Sequence, residues 1–215
     1  MRKKINKKER EMVLNILAKL YPNPRTELRF TTPFQLLIAT MLSAQTTDRQ
    51  VNFITDGLFR KYQSPEEFAV ISPAQLENEI KSCGLFKTKA RNIIETSRIL
   101  VKDYGSNVPD NFEELVKLPG VGRKTANVVL ANAFGKDTIA VDTHVFRVAN
   151  RLGLTAASTP EKTEEELLKA IPPGFRNKAH HWLIFHGRGT CRARKPKCDE
   201  CQINHYCRYF KNNPL

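Results

Sequence analysis

Leu118-Pro119-Gly120-Val121-Gly122-Arg123-Lys124-Thr125-Ala126, followed by an isolated acid at Asp142, is the stretch on which the reading of this chain turns. It reads as a helix, a tight glycine turn and a second helix with a lysine in its first turn. The two glycines can adopt the positive φ of a sharp reversal and let another backbone come close. Amide N–H groups opening a helix have no partner inside it, so Gly120, Val121, Gly122 and Arg123 frame a ready anion site. An ordinary connection between two helices also fits a Gly-x-Gly, so the weight falls on what surrounds it.

Over the 215 residues, 35 Lys and Arg oppose 22 Asp and Glu, a net charge of +13. That excess suits a protein that meets polyanions, and it makes a nucleic-acid phosphate the expected anion at the turn. A hydrophobic content of 40% is enough for a core in one large or two small domains. No apolar run reaches the roughly 18 residues of a membrane span. The N-terminal Met1-Arg2-Lys3-Lys4-Ile5-Asn6-Lys7-Lys8 leads into an amphipathic stretch instead of a signal-type apolar core. A cytoplasmic protein with no membrane partner is expected.

The chain reads as all-α. Ser64 with Glu67, Ser72 with Gln75, Asp110 with Glu113 and Ser158 with Glu161 have the spacing of capping boxes. Pro65 and Pro73 fall at first helical positions, where the missing N–H costs nothing. Apolar residues recur at helical spacing at Leu37, Met41 and Ala44, at Leu76 and Ile80, and along Ile93, Ile94, Ser97 and Val101. A soft boundary falls at Gly135-Lys136-Asp137, where Gly135 reads as a helix C-terminal cap. The apolar connector Thr138-Ile139-Ala140-Val141 then leads to Asp142 and a helix through Arg151.

Of five cysteines, Cys83 stands alone, and the other four follow a Cys-x6-Cys-x2-Cys-x5-Cys pattern at Cys191, Cys198, Cys201 and Cys207. Without a secretion signal, clustered thiols point to a metal centre more than to disulfides. Spacing alone leaves open one tetrahedral zinc or one [4Fe–4S] cluster. Arg192, Arg194 and Lys195 lie in the loop between the first two cysteines, together with Lys197, as a candidate phosphate-binding segment.

Lys124 falls where the positive end of a helix dipole and its neighbour Arg123 both work against a charged ammonium. A neutral amine there is a nucleophile able to form a Schiff base; the alternative is a lysine that merely contacts phosphate. Asp142 directly precedes Thr143-His144-Val145, the position of a helix N-cap. A carboxylate capped in that way could also stabilise positive charge developing on a sugar carbon. Thr143 and His144 beside it are candidate DNA contacts.

As a set these residues resemble the endonuclease III family of DNA glycosylases and AP lyases. The carriers are Leu42-Ser43-Ala44-Gln45-Thr46-Thr47-Asp48, Gly84-Leu85-Phe86 with Lys89-Ala90, Leu118 through Ala126, Val141 through Val145, and the four cysteines. The resemblance covers almost the whole chain and implies a [4Fe–4S] cluster at Cys191, Cys198, Cys201 and Cys207. It also implies a two-lobed helix-hairpin-helix glycosylase fold with a DNA-binding cleft between the lobes. A six-helix barrel domain would span 26–136, with the hairpin at about 112–135. Residues 1–25 and 137–215 would form the iron–sulfur domain, with the cluster loop at 191–207.

By the same resemblance Lys124 would attack C1′ of a flipped-out nucleotide, expel its base and hold the sugar as a Schiff base until β-elimination cuts the strand. Asp142 would support base loss, Gln45 would fill the gap in the stack, and Leu85 would wedge beside the orphaned base. The implied substrate is duplex DNA bearing oxidised pyrimidines or abasic sites, met by a monomeric, nucleoid-associated enzyme of a bacterium or archaeon. Two rivals stay in view. A related adenine-mismatch glycosylase shares the fold, but such relatives generally lack a lysine at the position of Lys124 and carry a further C-terminal domain. A non-catalytic iron–sulfur DNA-binding or redox-sensing module gives Lys124 and Asp142 no joint task.

Overall fold

The computed structural model describes residues 4–213; the basic Met1-Arg2-Lys3 and the last two residues lie outside the described residues. The described residues form helices and contain no strand. In chain order the helices are α1 (Lys7–Leu20), α2 (Pro33–Leu42), α3 (Asp48–Lys61), α4 (Pro65–Val70), α5 (Pro73–Ile80) and α6 (Phe86–Asp103). They continue as α7 (Phe112–Leu115), α8 (Arg123–Ala133), α9 (Thr143–Leu152), α10 (Pro160–Ala170), α11 (Arg176–Gly189) and α12 (Arg208–Asn212). A 3₁₀ turn at Asn204–Tyr206 precedes α12.

Two compact units emerge: Thr26–Lys136, and Met1–Arg25 with Asp137–Leu215. The first is organised around α2, which is buried along its whole length from Phe34 to Leu42. A helix apolar on every side belongs at the centre of a bundle. Here α8 and α6 pack against α2, and α4 and α5 pack against α6. Phe68 is fully buried and meets the rings of Phe34 and Tyr62 edge-on, at 5.3 and 5.7 Å.

The second unit buries α9 against α11, and α1 and α10 pack beside them. Val13, Leu17, Val145, Val148, Leu152, Leu167 and Leu183 form its core. Trp182 fills the centre and donates its indole N–H to the carbonyl of Tyr21 at 3.1 Å.

The capping boxes at Ser64–Glu67 and Ser72–Gln75 form with both reciprocal hydrogen bonds, and Pro65 and Pro73 occupy first turns. Two expected boxes do not form, and a simple N-cap stands one residue later in each case. Asn111, not Asp110, caps α7 by accepting from the Glu114 N–H, and Thr159, not Ser158, caps α10 by accepting from the Lys162 N–H. Each pair of neighbours offers two competent caps, and the helix starts one position later than the spacing suggested. Ala44 lies beyond the end of α2 and is exposed, while Val101 is also exposed and Leu100 takes the buried position. Gly135, at φ +64°, ends α8 as expected, and the Lys136 N–H reaches back to the Leu130 carbonyl at 3.0 Å.

Candidate functional site

The glycine turn sits in the Thr26–Lys136 unit between α7, a single helical turn, and α8. Gly120 adopts φ +77°, and a Cβ built there would lie 2.8 Å from Asn92 Nδ2 and 3.1 Å from Met41 Cε. Both conformation and space therefore demand glycine at this position. Thr96 Oγ1 pins the turn from behind by donating to the Pro119 carbonyl at 2.9 Å, and Val121 is buried beneath it.

Gly122 departs from expectation: its φ is −88°, and a Cβ there would meet nothing within 4 Å. Its backbone is ordinary, and the space before it is open. As the N-cap of α8 it has no side chain and makes no side-chain capping hydrogen bond to the first turn. Arg123 lays its guanidinium 4.8 Å from the centre of the Phe112 ring, joining the two helices of the hairpin. Lys124 is the second residue of α8 and is half-buried.

Gln45 and Leu85 belong to two neighbouring turns of the same unit. Both are exposed, Leu85 to 61%, and both adopt left-handed φ, 55° and 59°. A Cβ on Gly84 would lie 3.6 Å from the Gln45 carbonyl oxygen, so the turns abut. Gln50 on α3 joins them further by donating to Ser82 Oγ at 2.9 Å. The exposure excludes a core role for Leu85, and the end of α2 at Leu42 excludes a helix-surface role for Gln45.

Asp142 lies in the other unit, as the N-cap of α9, with Oδ1 accepting from the Val145 N–H at 2.7 Å. The carboxylate is half-buried, Thr143 is exposed, and His144 is half-buried with Nδ1 3.2 Å from Arg147 Nη2.

The same helix organises the cysteine segment through two residues that the sequence left unmarked. Arg147 donates from Nε and Nη2 to the Cys191 carbonyl at 3.2 and 3.1 Å, and from Nη2 to the Gly187 carbonyl at 2.9 Å. Arg151 donates to the carbonyls of Arg192 and Ala193 at 2.6 and 3.0 Å, approaches Cys191 Sγ at 3.6 Å, and stacks over Tyr209. The loop they reach lies about 40 residues further along the chain. The cations Arg192, Arg194 and Lys195 are exposed, Lys195 at a left-handed φ of 49°.

Cys191, Cys198, Cys201 and Cys207 line one pocket together with Leu152, His186, Pro196 and Tyr209. Burial pushes the thiols of Cys198, Cys201 and Cys207 above the usual range, so they favour the protonated form unless a metal holds the thiolates. His186 Nε2 lies 3.7 Å from Cys201 Sγ, and burial lowers this imidazole's pKa to about 4, keeping it neutral. Four soft donors around one sheltered, largely apolar pocket fit an iron–sulfur cluster. Cys83 lies apart in the Thr26–Lys136 unit, buried.

Comparison with known proteins identifies the family. Residues 38–173 match the profile of the HhH-GPD superfamily base excision DNA repair protein, and residues 191–207 match the iron–sulfur binding domain of endonuclease III. Endonuclease III of Rickettsia conorii is 53% identical over 200 residues, covering 93% of this chain and 95% of that protein. Endonuclease III of Escherichia coli K12 is 48% identical over 205 residues, covering 95% and 97%. A solved structure of a trapped endonuclease III–DNA covalent intermediate, an estranged-adenine complex, superposes with a TM-score of 0.92 at 44% identity, covering 97% of this chain and 98% of that one. With its helix-hairpin-helix fold and four-cysteine segment, the chain belongs to the endonuclease III family of base excision repair DNA glycosylases and AP lyases, and it carries a [4Fe–4S] cluster.

Proposed function

We propose that this enzyme removes oxidised pyrimidines from duplex DNA and cleaves abasic sites, with Lys124 as nucleophile and Asp142 as its acidic partner. The observation that carries this reading is the position of Lys124, half-buried in the first turn of α8 directly after a glycine N-cap that makes no side-chain cap. Hairpin amides that bind a backbone phosphate would bring the neighbouring sugar to the lysine, and positioning of this kind is a large part of catalysis. That a relative 44% identical to this chain was trapped as a covalent intermediate on DNA supports a covalent route here.

In this reading the Lys124 amine bonds to C1′ as the glycosidic bond breaks, and the base departs with the bonding electrons. Opening of the sugar yields a Schiff base. Loss of a C2′ proton then drives the 3′ carbon–oxygen bond to break, and water releases the lysine. The Asp142 carboxylate stabilises the positive charge that grows on the sugar as the base leaves. Extrusion of a nucleotide leaves a gap and an orphaned partner base, at a cost of roughly a few kcal/mol. Gln45 would occupy the gap with an amide able to pair with several base edges, while Leu85 excludes water beside the orphan.

Cys191, Cys198, Cys201 and Cys207 would hold the cluster. When bound it would tie the segment into a fixed fold. Arg192, Arg194 and Lys195 would then face the phosphate backbone, and Thr143 and His144 would contact DNA near Asp142. No helix among the described residues is long and apolar enough to cross a membrane. Action as a monomer in the cytoplasm, at the nucleoid, completes the reading.

The test is strand cleavage of a thymine glycol duplex by Lys124→Ala. The reading predicts loss of cleavage with duplex affinity retained; cleavage at the wild-type rate would contradict it.

A further inference from the structure

Lys89, in the first turn of α6, is buried, and its Nζ donates to three oxygens at once. These are the Leu42 carbonyl at 2.8 Å, the Ala44 carbonyl at 2.6 Å and Thr46 Oγ1 at 3.2 Å. Leu42 ends α2, where carbonyls lack helical partners and the dipole is negative, so an ammonium is well placed there. Burial works against the charge and lowers the lysine's pKa, with Cys83 opposing the shift. Charge-assisted hydrogen bonds to three acceptors answer that burial.

Those acceptors bracket Gln45. A left-handed backbone in a residue with a Cβ costs roughly 1–2 kcal/mol and persists only where its surroundings over-determine it. Lys89 supplies that constraint by holding Ala44 on one side of Gln45 and Thr46 on the other. Its own backbone N–H donates to the Leu85 carbonyl at 3.0 Å. One residue thus bonds to both neighbours of Gln45 and to the carbonyl of Leu85.

We propose that Lys89 is a positioning residue for damage recognition, whose ammonium locks the Ala44–Thr46 turn and holds Gln45 in register with Leu85 before DNA arrives. The inference rests on the reading of Gln45 and Leu85 as the side chains that enter the duplex. Its physical content is preorganisation: the turn is ordered during folding, so that cost is absent from the encounter with DNA.

Lys89→Met keeps the apolar stem and removes all three donors. Single-turnover base excision from a thymine glycol duplex should fall about 10- to 100-fold, the scale expected for a displaced recognition group. β-Elimination on a single-stranded abasic oligonucleotide, which needs no side chain in a base stack, should hold its wild-type rate. In a Gln45→Ala background, Lys89→Met should cause no further loss on the duplex. Equal losses on both substrates, or the same fold-loss in both backgrounds, would overturn the positioning role while leaving the reading of Gln45 intact. Wild-type duplex excision by Gln45→Ala alone would instead overturn the reading of Gln45 and this inference with it. Should Lys89→Met fail to fold, Thr46→Val removes one of the three acceptors. It should give a smaller loss confined to the duplex substrate, and an unchanged duplex rate would overturn the proposal.

Discussion

Arg147 grips the carbonyl of Cys191 with two of its nitrogens, at 3.2 and 3.1 Å, from the helix that Asp142 caps. The first cysteine of the cluster segment is thereby tied to α9 through its backbone, independently of the metal. Arg147→Met should leave that carbonyl and that of Gly187 without their charged donor, a loss of about 2 kcal/mol. Chemical denaturation of the holoprotein, with visible absorption followed alongside, checks this: unfolding and cluster loss should both move to lower denaturant. An unchanged midpoint would contradict the assigned role.

Asp142 does two things that substitution can separate. Asparagine caps a helix as well as aspartate does, so Asp142→Asn should preserve the melting temperature, while Asp142→Ala should lose about 1 kcal/mol. Both remove the carboxylate and should slow base excision by about 100-fold, a scale typical of a lost charge-stabilising group. If Asp142→Asn excised at the wild-type rate, capping would be the residue's whole contribution.

The two hairpin glycines should respond oppositely to alanine. Gly120→Ala forces a side chain into the left-handed region, which costs about 1–2 kcal/mol. It also places a Cβ 2.8 Å from Asn92 Nδ2, so the variant should be clearly destabilised in a thermal melt. Gly122→Ala meets open space at an ordinary φ and should fold normally. The added methyl group would occupy open space where the proposed reading seats a phosphate, so duplex affinity should drop. Equal stability of the two variants would count against this account of the turn.

The two ends of the described chain meet at Glu9, which closes the α1 capping box with Asn6 and pairs with Arg208 and Lys211. The Asn6 backbone N–H, aided by Lys211 and Arg208, holds the Glu9 carboxyl below its ordinary 4.5. A carboxylate with a lowered folded value stabilises the protein above its unfolded pKa and loses that contribution as pH falls through the folded one. Wild type should therefore lose stability in acid more steeply than Glu9→Gln, and the two should converge at the acid end. Parallel melting curves across the acid range would contradict this.

The boxes at Ser64 and Ser72 rest on interactions three residues apart, and local chemistry announced them. The cysteine pattern and the turn at Gly120 were legible for the same reason. At Asn111 and Thr159 two adjacent polar residues competed for one cap, and the sequence carried no basis for choosing. The left-handed φ values at Gln45 and Leu85 fall on residues other than glycine, and the turn around Gln45 is bonded by Lys89, more than 40 residues on, which no local pattern records. Lys89 was marked only as part of the family pattern, and Arg147 and Arg151 carried no mark; all three bond carbonyls about 40 residues away, and no local pattern records such partners.

The most direct test of the central claim is borohydride trapping on a duplex carrying a single thymine glycol, with wild type and Lys124→Ala side by side. A covalent protein–DNA band from wild type that vanishes in Lys124→Ala is the predicted result. A wild-type protein that binds the duplex yet gives no band, there or on an abasic duplex, would contradict the Schiff-base mechanism, and a band that survives in Lys124→Ala would contradict the assignment of Lys124 as its nucleophile.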